Sequence, residues 1–322
     1  MDVLRNGSLG SVPFMLSSLA AVLTKAALPP ALQESIGSWT HIAGQPMTQA
    51  PAPMAFVPGL FHGVGAYYPQ GGMRAVPELL EAEALAAGVD VQYTTKVRAI
   101  VAPHKQVAGV RTAAGEFLPA TAVMSDASGI GTYVELVEDF PAPEKEKLQR
   151  LPLQSPGTCA YLAVRGRQPP YYIRFKLRGA GCTALVQPGL LDAGLAQEGW
   201  YPARLISPLA HAEAAALGPE GQHQLIDQQL AEGWWQEGIS AYKVLHRRST
   251  FEWGRDYHLY RDSMNPVMTS RLMRKGRLAH RSPTVRGLYL TGSSTHPGQW
   301  MSFCAIAGVL AADCLTHDYP RV

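Results

Sequence analysis

Apolar residues recur at helical spacing along the first quarter of the chain. Residues 1–50 look helical, in two segments broken at Pro29-Pro30 and again at Pro46. After YYPQGGM at 67–73, one helical face collects the apolar residues Val76, Leu79, Leu80, Ala84 and Ala87. Gly88 then suits the left-handed turn that ends a helix. The pattern predicts an amphipathic helix that ends at this glycine.

The period of the pattern changes to two after Gly88. Val89, Val91 and Tyr93 alternate with polar residues, and turns at 103–106 and 113–115 separate the stretches that follow. The alternation predicts a β-meander whose last strand, 122–124, ends at Ser125.

The rest of the chain mixes both periods. Strands with glycine turns are predicted for 157–208, a helix for 220–238, a strand at 243–249 and an irregular polar stretch up to Arg281. A buried strand at 287–291 and a closing helix complete the pattern. The fold class is therefore mixed α/β.

Composition and charge narrow the class of protein. Of 322 residues, 47% are hydrophobic and 16% charged, which is typical of a globular chain and excludes a disordered one. A net charge of +3 gives no indication of nucleic acid binding. Basic residues concentrate between Lys243 and Arg286, either as a solvated surface or as a face for acidic lipid headgroups or a cofactor pyrophosphate.

Cysteines and apolar segments bear on location. Cys159, Cys182, Cys304 and Cys314 form no CxxC pair and no metal-ligand spacing, which predicts free thiols in a reducing, cytoplasmic compartment and no metal. The stretch 12–28 is too short and polar for a membrane span, and it reads as a helix that packs on a core or lies on a bilayer. A peripheral position at the inner membrane face is the alternative location.

A strand, a small polar loop and a helix follow one another near the C-terminus. Leu288 to Thr291 form the strand, Gly292 ends it, and an apolar helix begins at Met301. Such a junction presents backbone N–H groups to an anion. An ordinary strand–turn–helix without a ligand explains the same composition equally well.

The motifs in this region resemble a known family. GLYLTGSSTHPG at 287–298 resembles the closing signature of phytoene desaturases, carotenoid isomerases and retinol saturase-like proteins. YYPQGGM, and TKVRAIV at 95–101 with the meander up to Ser128, resemble the middle section of the same family. The resemblance implies an FAD/NAD(P)-binding-like portion, FAD as cofactor, and a substrate domain of sheet and helices.

The resemblance carries seven cofactor contacts onto this chain. It implies that the backbone of Val97 contacts the adenine, and that Asp126 and Ala127 lie near the cofactor where the last strand of the meander ends. At the flavin end it implies Gly292 and Ser293 beside the pyrophosphate and ribitol, and it places two residues at the flavin pyrimidine edge: Met301 and Ser302. A core valine at 97 and a turn-capping Asp126 are the structural alternatives.

Two aromatic residues stand out in the closing motif. Trp300 is bulky where the family has small residues, so it either closes the pocket to a long polyene or forms a stacking wall. Tyr289 is the second candidate for a substrate pocket. No catalytic residue is assigned. His211, His223, His246 and His258 read as surface histidines, and Trp234, Trp235, Trp253 and Tyr257 as core rather than tunnel residues.

The family's first motif, a strand followed by GxGxxG and a helix, has no match here. Gly129-Ile130-Gly131 has Val134 where the third glycine belongs, and the stretch from Asn6-Gly7 to Gly10 follows no strand. Either the sequence is shortened, the gene start is misplaced, or a separate chain supplies this half.

The resemblance implies four segments and a reaction class. Helices at 1–65 face the substrate or a membrane, 66–135 and 270–322 bind FAD, and 136–269 form the substrate domain. The reaction is desaturation, saturation or isomerisation of a lipophilic polyene by hydride exchange with flavin N5. The alternatives are a non-catalytic fragment or subunit, and an amine oxidase-type flavoenzyme with an aromatic cage.

Overall fold

Contacts within the chain divide it into two compact units. A computed structural model describes residues 8–42, 46–167, 169–178 and 181–320, so Asn6 and Gly7 lie outside the described residues. The first unit comprises 1–91, 155–252 and 268–270, and the second comprises 92–154, 253–267 and 271–322. These boundaries follow contacts rather than function, and the predicted division at 65, 135 and 269 stays a prediction.

Helices account for much of both units. In chain order they are α1 Val12–Leu16, α2 Leu19–Lys25, α3 Pro30–Ile42, α4 Phe56–Gly63, α5 Ala75–Ala86, α6 Gly129–Gly131 (continued by a π-helical turn, Thr132–Leu136), α7 Ala142–Gln149, α8 His211–Ala231, α9 Thr250–Tyr257, α10 Ser270–Lys275 and α11 Met301–Asp318. The N-terminal segment is helical and broken at Pro29-Pro30, as predicted, because a proline fits the first turn of α3.

The strands form one large sheet and three small ones. They are β1 Val97–Val101, β2 Gly109–Thr112, β3 Phe117–Pro119, β4 Val123–Ser125, β5 Leu153–Gln154, β6 Thr158–Gly166, β7 Ile173–Arg178, β8 Gly181–Val186, β9 Tyr201–Ser207, β10 Ile239–Arg248, β11 Asn265–Pro266 and β12 Leu288–Leu290. The mixed α/β class predicted from the sequence is confirmed.

An antiparallel sheet in the order β10-β6-β9-β8-β7 is the centre of the first unit. Apolar side chains on one face of β6, β8 and β9 pack against Ile226 and Leu230 of α8. Trp235 is fully buried in this cluster and donates a hydrogen bond from Nε1 to the carbonyl of Leu230 at 3.1 Å. The core interpretation of Trp235 is therefore confirmed.

Two helices differ from the predicted pattern in this part of the chain. α8 begins at His211 rather than at 220. Gly218, with φ +66°, breaks the helix axis just before Pro219, so the predicted helix corresponds to the second half of α8. α9 occupies a stretch that was predicted to be irregular.

A capping box explains α9. The hydroxyl of Ser249 accepts from the backbone N–H of Glu252, and the Glu252 carboxylate accepts from the N–H and hydroxyl of Ser249 at 2.6 and 2.9 Å. His223 of α8 lies 3.0 Å from the same carboxylate oxygen. Burial alone would raise the pKa of Glu252, but the hydrogen bonds from Ser249 and His223 outweigh it and lower that pKa.

Removing the capping carboxylate should cost stability in a pH-dependent way. We expect Glu252→Gln to lower the free energy of unfolding by about 1 kcal/mol at pH 7. Because the folded pKa is depressed, this stabilisation is complete above the unfolded pKa of about 4.3 and is lost as the pH falls through the folded value. Urea titrations at pH 7 and pH 3 check this, with Glu220→Gln as an exposed control. An equal difference at both pH values would contradict it.

The second unit contains a short parallel pair of strands. β4 lies beside β12 with Ser125 opposite Leu290, and the antiparallel meander comprises only β1, β2 and β3. The predicted fourth meander strand therefore leaves the meander to join the closing strand. No strand forms at residues 89–93, where the alternation predicted one, and β1 begins at Val97. Ile100, Val107, Val285, Leu288 and Leu290 are central to the core of this unit.

Two helices expose apolar surface within their own units. In α5 the predicted apolar face is not buried, with Leu79 and Leu80 about 60% exposed, although Gly88 ends the helix region with φ +83° as expected. α11 is apolar on all sides and exposes Ile306 and Val309. Among the described residues, no helix has the length and hydropathy needed to cross a bilayer.

Candidate functional site

The carboxyl ends of β4 and β12 lie side by side in the second unit. The N–H of Thr291 donates to the carbonyl of Ser125 at 2.9 Å, which brings Asp126 next to Gly292. Gly292 has φ +72°, and a Cβ there would lie 3.4 Å from the Asp126 carbonyl oxygen. Glycine is therefore suited to this position by its backbone conformation. The structure thus brings together four residues predicted from the two motifs: Asp126, Ala127, Gly292 and Ser293.

A cavity of about 630 Å³ opens where β1 begins. Its size falls in the range of small-molecule sites. Val97, predicted at the adenine, and Ala127, predicted near the cofactor, line it. Its walls come from the start of β1, from α6 with its π-helical turn, and from the end of α9: Thr94, Thr95, Lys96, Val97, Ala127, Ser128, Gly131, Thr132, Glu135, Leu136, Gly254, His258 and Leu259. His258 is exposed, as predicted, yet it also lines this cavity, a role that its spacing in the sequence does not indicate.

We refer to this cavity as the adenine-end cavity, after the predicted position of Val97. It is polar on one side because of the hydroxyl groups where α6 begins. The Ser128 hydroxyl accepts from the Gly131 N–H, and the Ser125 and Thr132 hydroxyls lie 2.8 Å apart. Lys96 and Glu135 add one charge of each sign to the lining. Such a wall offers donors and acceptors of the kind that a nucleoside requires.

Asn265 holds together the loop that follows β12. Its side-chain oxygen accepts from the hydroxyls of Ser293 and Ser294, both at 3.1 Å, and its amide donates to Gln299 at 3.4 Å. Asn265 is only 2% exposed. Its distance along the chain from the motif explains why sequence reasoning missed it.

Gly129 has a packing role at this loop. Its N–H donates to the Ser294 hydroxyl at 2.9 Å, and a Cβ would approach the Ser294 Cβ to 2.7 Å and a Leu278 methyl to 2.6 Å. The Gly129-Ile130-Gly131 stretch, the nearest match to GxGxxG, thus serves close contact with the loop.

Arg277 lies across the turn of the closing motif. Its Nη1 donates to the Ser293 carbonyl at 3.2 Å, and a Cβ on Gly298, which has φ +130°, would meet its guanidinium. Burial lowers the pKa of Arg277, and the nearby Cys304 acts in the opposite direction. Burial and then the charge of Asp126 raise the pKa of the Cys304 thiol, while Arg277 lowers it. Arg277, Cys304 and Asp126 therefore share one electrostatic environment.

The start of α11 is open to solvent. Met301 and Ser302 are exposed in its first turn, where the resemblance implied the flavin pyrimidine edge. Trp300 precedes them with φ +89°, a strained conformation for a bulky residue, and its ring lies 5.6 Å from that of Phe303. Neither Met301 nor Ser302 lines the adenine-end cavity.

The structure places Tyr289 in the core. The side chain is 1% exposed, and its hydroxyl donates to Asp318 at 2.6 Å, at the C-terminal end of α11. Desolvation and the Asp318 carboxylate raise the pKa of Tyr289 to about 12. The predicted place of Tyr289 in a substrate pocket is therefore corrected, because strand residue 289 points toward the helix end opposite Trp300.

The second unit fits part of an FAD molecule. The adenine-end cavity has the size of a small-molecule site. The positive φ of Gly292 lets the loop turn beside Asp126, and the space beside Gly298 is taken by the Arg277 guanidinium. The sequence holds no GxGxxG, so these residues account for one wall of such a site.

The chain is similar to several known proteins. A family model described as flavin containing amine oxidoreductase matches residues 48–316. The zeta-carotene-forming phytoene desaturase of Myxococcus xanthus is 26% identical over 290 residues, covering 83% of this chain and 56% of that protein. The chloroplastic prolycopene isomerase of Daucus carota is 25% identical over 278 residues, covering 80% and 45%.

Among solved structures, an oxidoreductase from Methanosarcina mazei superposes with a TM-score of 0.67 at 16% identity. The superposition covers 92% of this chain and 68% of the chain from Methanosarcina mazei. The chain spans about half the length of the curated relatives that it matches.

Proposed function

Because this chain belongs to the family of flavin-containing amine oxidoreductases, we propose that it forms part of an FAD-dependent oxidoreductase acting on an apolar polyene. Membership confirms the predicted kinship and FAD as the cofactor. The observation that carries the substrate class is the similarity to a phytoene desaturase and a prolycopene isomerase over at least 80% of this chain. The proposed reaction is desaturation, saturation or isomerisation.

The chain's own residues would bind and orient the cofactor. Val97 and Ala127 would hold the adenosine, and the loop from Gly292 to Ser293 would approach the diphosphate and ribitol, with Asp126 beside it. Met301 and Ser302 would face the flavin, where the N-terminus of α11 favours negative charge. When bound, FAD supplies hydride acceptance or donation at flavin N5.

Trp300 would set the shape of the substrate side. Its position before α11, beside Phe303, makes it either a stop for a long polyene or a stacking wall. The same aromatic pair favours a second candidate, an amine oxidase-type reaction, since an amine substrate needs an aromatic cage next to the flavin.

A lipophilic substrate implies a membrane source, and we propose a cytoplasmic protein that lies peripherally on the inner membrane face. Apolar side chains exposed on α1 and α4 support this location: Val12, Met15, Leu16, Phe56, Leu60 and Phe61. The basic 243–286 region supports it less, because Arg247 pairs with Asp227 and Arg281 with Asp318. Co-flotation with anionic liposomes tests the location.

Flavin absorbance separates an enzyme from a non-catalytic subunit. We expect the purified chain, incubated with FAD and desalted, to keep a flavin spectrum that a polyene in liposomes bleaches anaerobically. Bleaching by a primary amine alone would favour the amine oxidase candidate. A chain that stays colourless is not an enzyme by itself, and retention of flavin only after co-expression with a chain bearing strand–GxGxxG–helix would identify it as one of two subunits.

A further inference from the structure

Arg277 is a partly buried cation in the second unit whose guanidinium is only partly used. One nitrogen, Nη1, bonds the Ser293 carbonyl, and the group rests on Gly298. Nε and Nη2 have no acceptor among the described residues, and neither nitrogen is sealed from solvent. Two donors of the Arg277 guanidinium therefore lack an acceptor beside the loop after β12, where the group packs on Gly298.

Several other arginines of the second unit have carboxylate partners. Arg281 forms a two-pronged contact with Asp318 at 2.6 and 2.8 Å, and Arg150 bonds Glu146 at 3.0 Å. No carboxylate lies within ion-pair distance of Arg277 in the described part of the chain. A partly desolvated cation that lacks a counter-ion is costly unless an anion binds it.

We propose that Arg277 is the residue of the basic 243–286 region that binds the diphosphate of FAD. The inference rests on the proposed function, since it names a positioning contact for the same cofactor. Ser293, whose carbonyl holds Arg277, is the residue that the resemblance places beside the pyrophosphate. A planar guanidinium held at one nitrogen can present the other two to phosphate oxygens as a fork, which the single ammonium group of a lysine cannot do.

Gly298 and Cys304 define the geometry of this contact. Gly298 leaves the surface on which the guanidinium lies, and the Sγ atom of Cys304 lies 3.9 Å from the Gly298 carbonyl oxygen. A diphosphate bound at Arg277 would therefore cover Cys304. It would leave Cys314 unaffected, because that equally half-buried thiol lies near the other end of α11.

Thermal shift titrations with inorganic pyrophosphate test the contact without requiring FAD. We expect pyrophosphate to stabilise the wild-type chain saturably, and Arg277→Gln to weaken its apparent Kd about tenfold, by about 1.4 kcal/mol. Arg277→Lys should recover only part of the affinity, and Arg274→Gln, at an exposed arginine, should leave it unchanged. Equal affinity in wild type and Arg277→Gln, or no pyrophosphate effect on the wild type, would overturn the proposal.

Alkylation of the wild-type cysteines provides a second measurement if the variant does not fold. Pyrophosphate should slow iodoacetamide labelling of Cys304 and not of Cys314. Riboflavin, which carries no phosphate, should protect neither thiol through Arg277, and protection by riboflavin alone would overturn the assignment to the diphosphate. If pyrophosphate protects Cys304 in a chain that retains no FAD, the contact holds and the proposed function fails. If the chain retains FAD but pyrophosphate gives no protection, the proposed function stands and the contact is overturned.

Discussion

Asn265→Leu should lower the free energy of unfolding by about 3 kcal/mol, because it leaves the buried Ser294 hydroxyl and the Ser293 hydroxyl without their acceptor. Leucine fills a similar volume, so the loss measures hydrogen bonding more than packing. The loop from Gly292 to Gln299 would lose its link to β11, and flavin retention should fall with it. Urea unfolding followed by circular dichroism gives the stability, and absorbance after desalting gives the retention.

Asn265→Asp is the matched control for this loop. Aspartate keeps oxygen acceptors for both serines, but it replaces the amide donor to Gln299 with an oxygen and places a carboxylate in a buried site. We expect it to lose less stability than Asn265→Leu. If both variants unfolded within about 0.5 kcal/mol of the wild type, the loop would not depend on this side chain.

Trp235, in the core of the first unit, should be the position where a truncation lowers the stability most. Trp235→Ala is expected to cost 3–5 kcal/mol, roughly, since it removes a fully buried indole and opens a cavity against Leu162, Leu205 and Ile226. It also leaves the Leu230 carbonyl without its donor. Urea midpoints measured on the full chain check the loss.

A graded series identifies the cause of that loss. Trp235→Phe keeps most of the buried area but not the Nε1 donor, so it should fall between wild type and alanine. Tyr67→Ala, at an aromatic residue that is 89% exposed, should be nearly neutral. Similar losses for Trp235→Ala and Tyr67→Ala would show that the indole is not the centre of this core.

Local signals explain what the sequence could predict. The strand at 288–290, the turn after Gly292 and the helix from Met301 each follow from neighbouring residues, and all are present. The pattern Ser249-x-x-Glu252 is an equally local signal, since it is the capping box that begins α9. Secondary structure near such signals is accessible because the deciding contacts lie within a few residues.

Other features depend on partners distant in the chain. Nothing near β4 indicates that it leaves the meander for β12, and nothing near Asn265 or Arg277 indicates the loop that they contact. α5 is a case in which the local pattern correctly predicts a helix, but the apolar face of that helix is not buried. The motif residues of the candidate site, such as Gly292 and Ser293, were therefore predictable from the sequence. The residues that contact the motif from elsewhere in the chain, Asn265 and Arg277, were not.

The parallel pair of β4 and β12 also sets an order for synthesis on the ribosome. About 165 residues separate Val123 from Leu288, and nearly all of the first unit's sheet is translated between them. At ordinary elongation rates, β4 leaves the exit tunnel about 10 to 30 seconds before its partner strand. The five-stranded sheet can form in that interval, whereas β4 stays without its partner strand until β12 has been translated. The closing strand therefore completes the second unit's parallel pair only after the first unit's sheet has had time to fold.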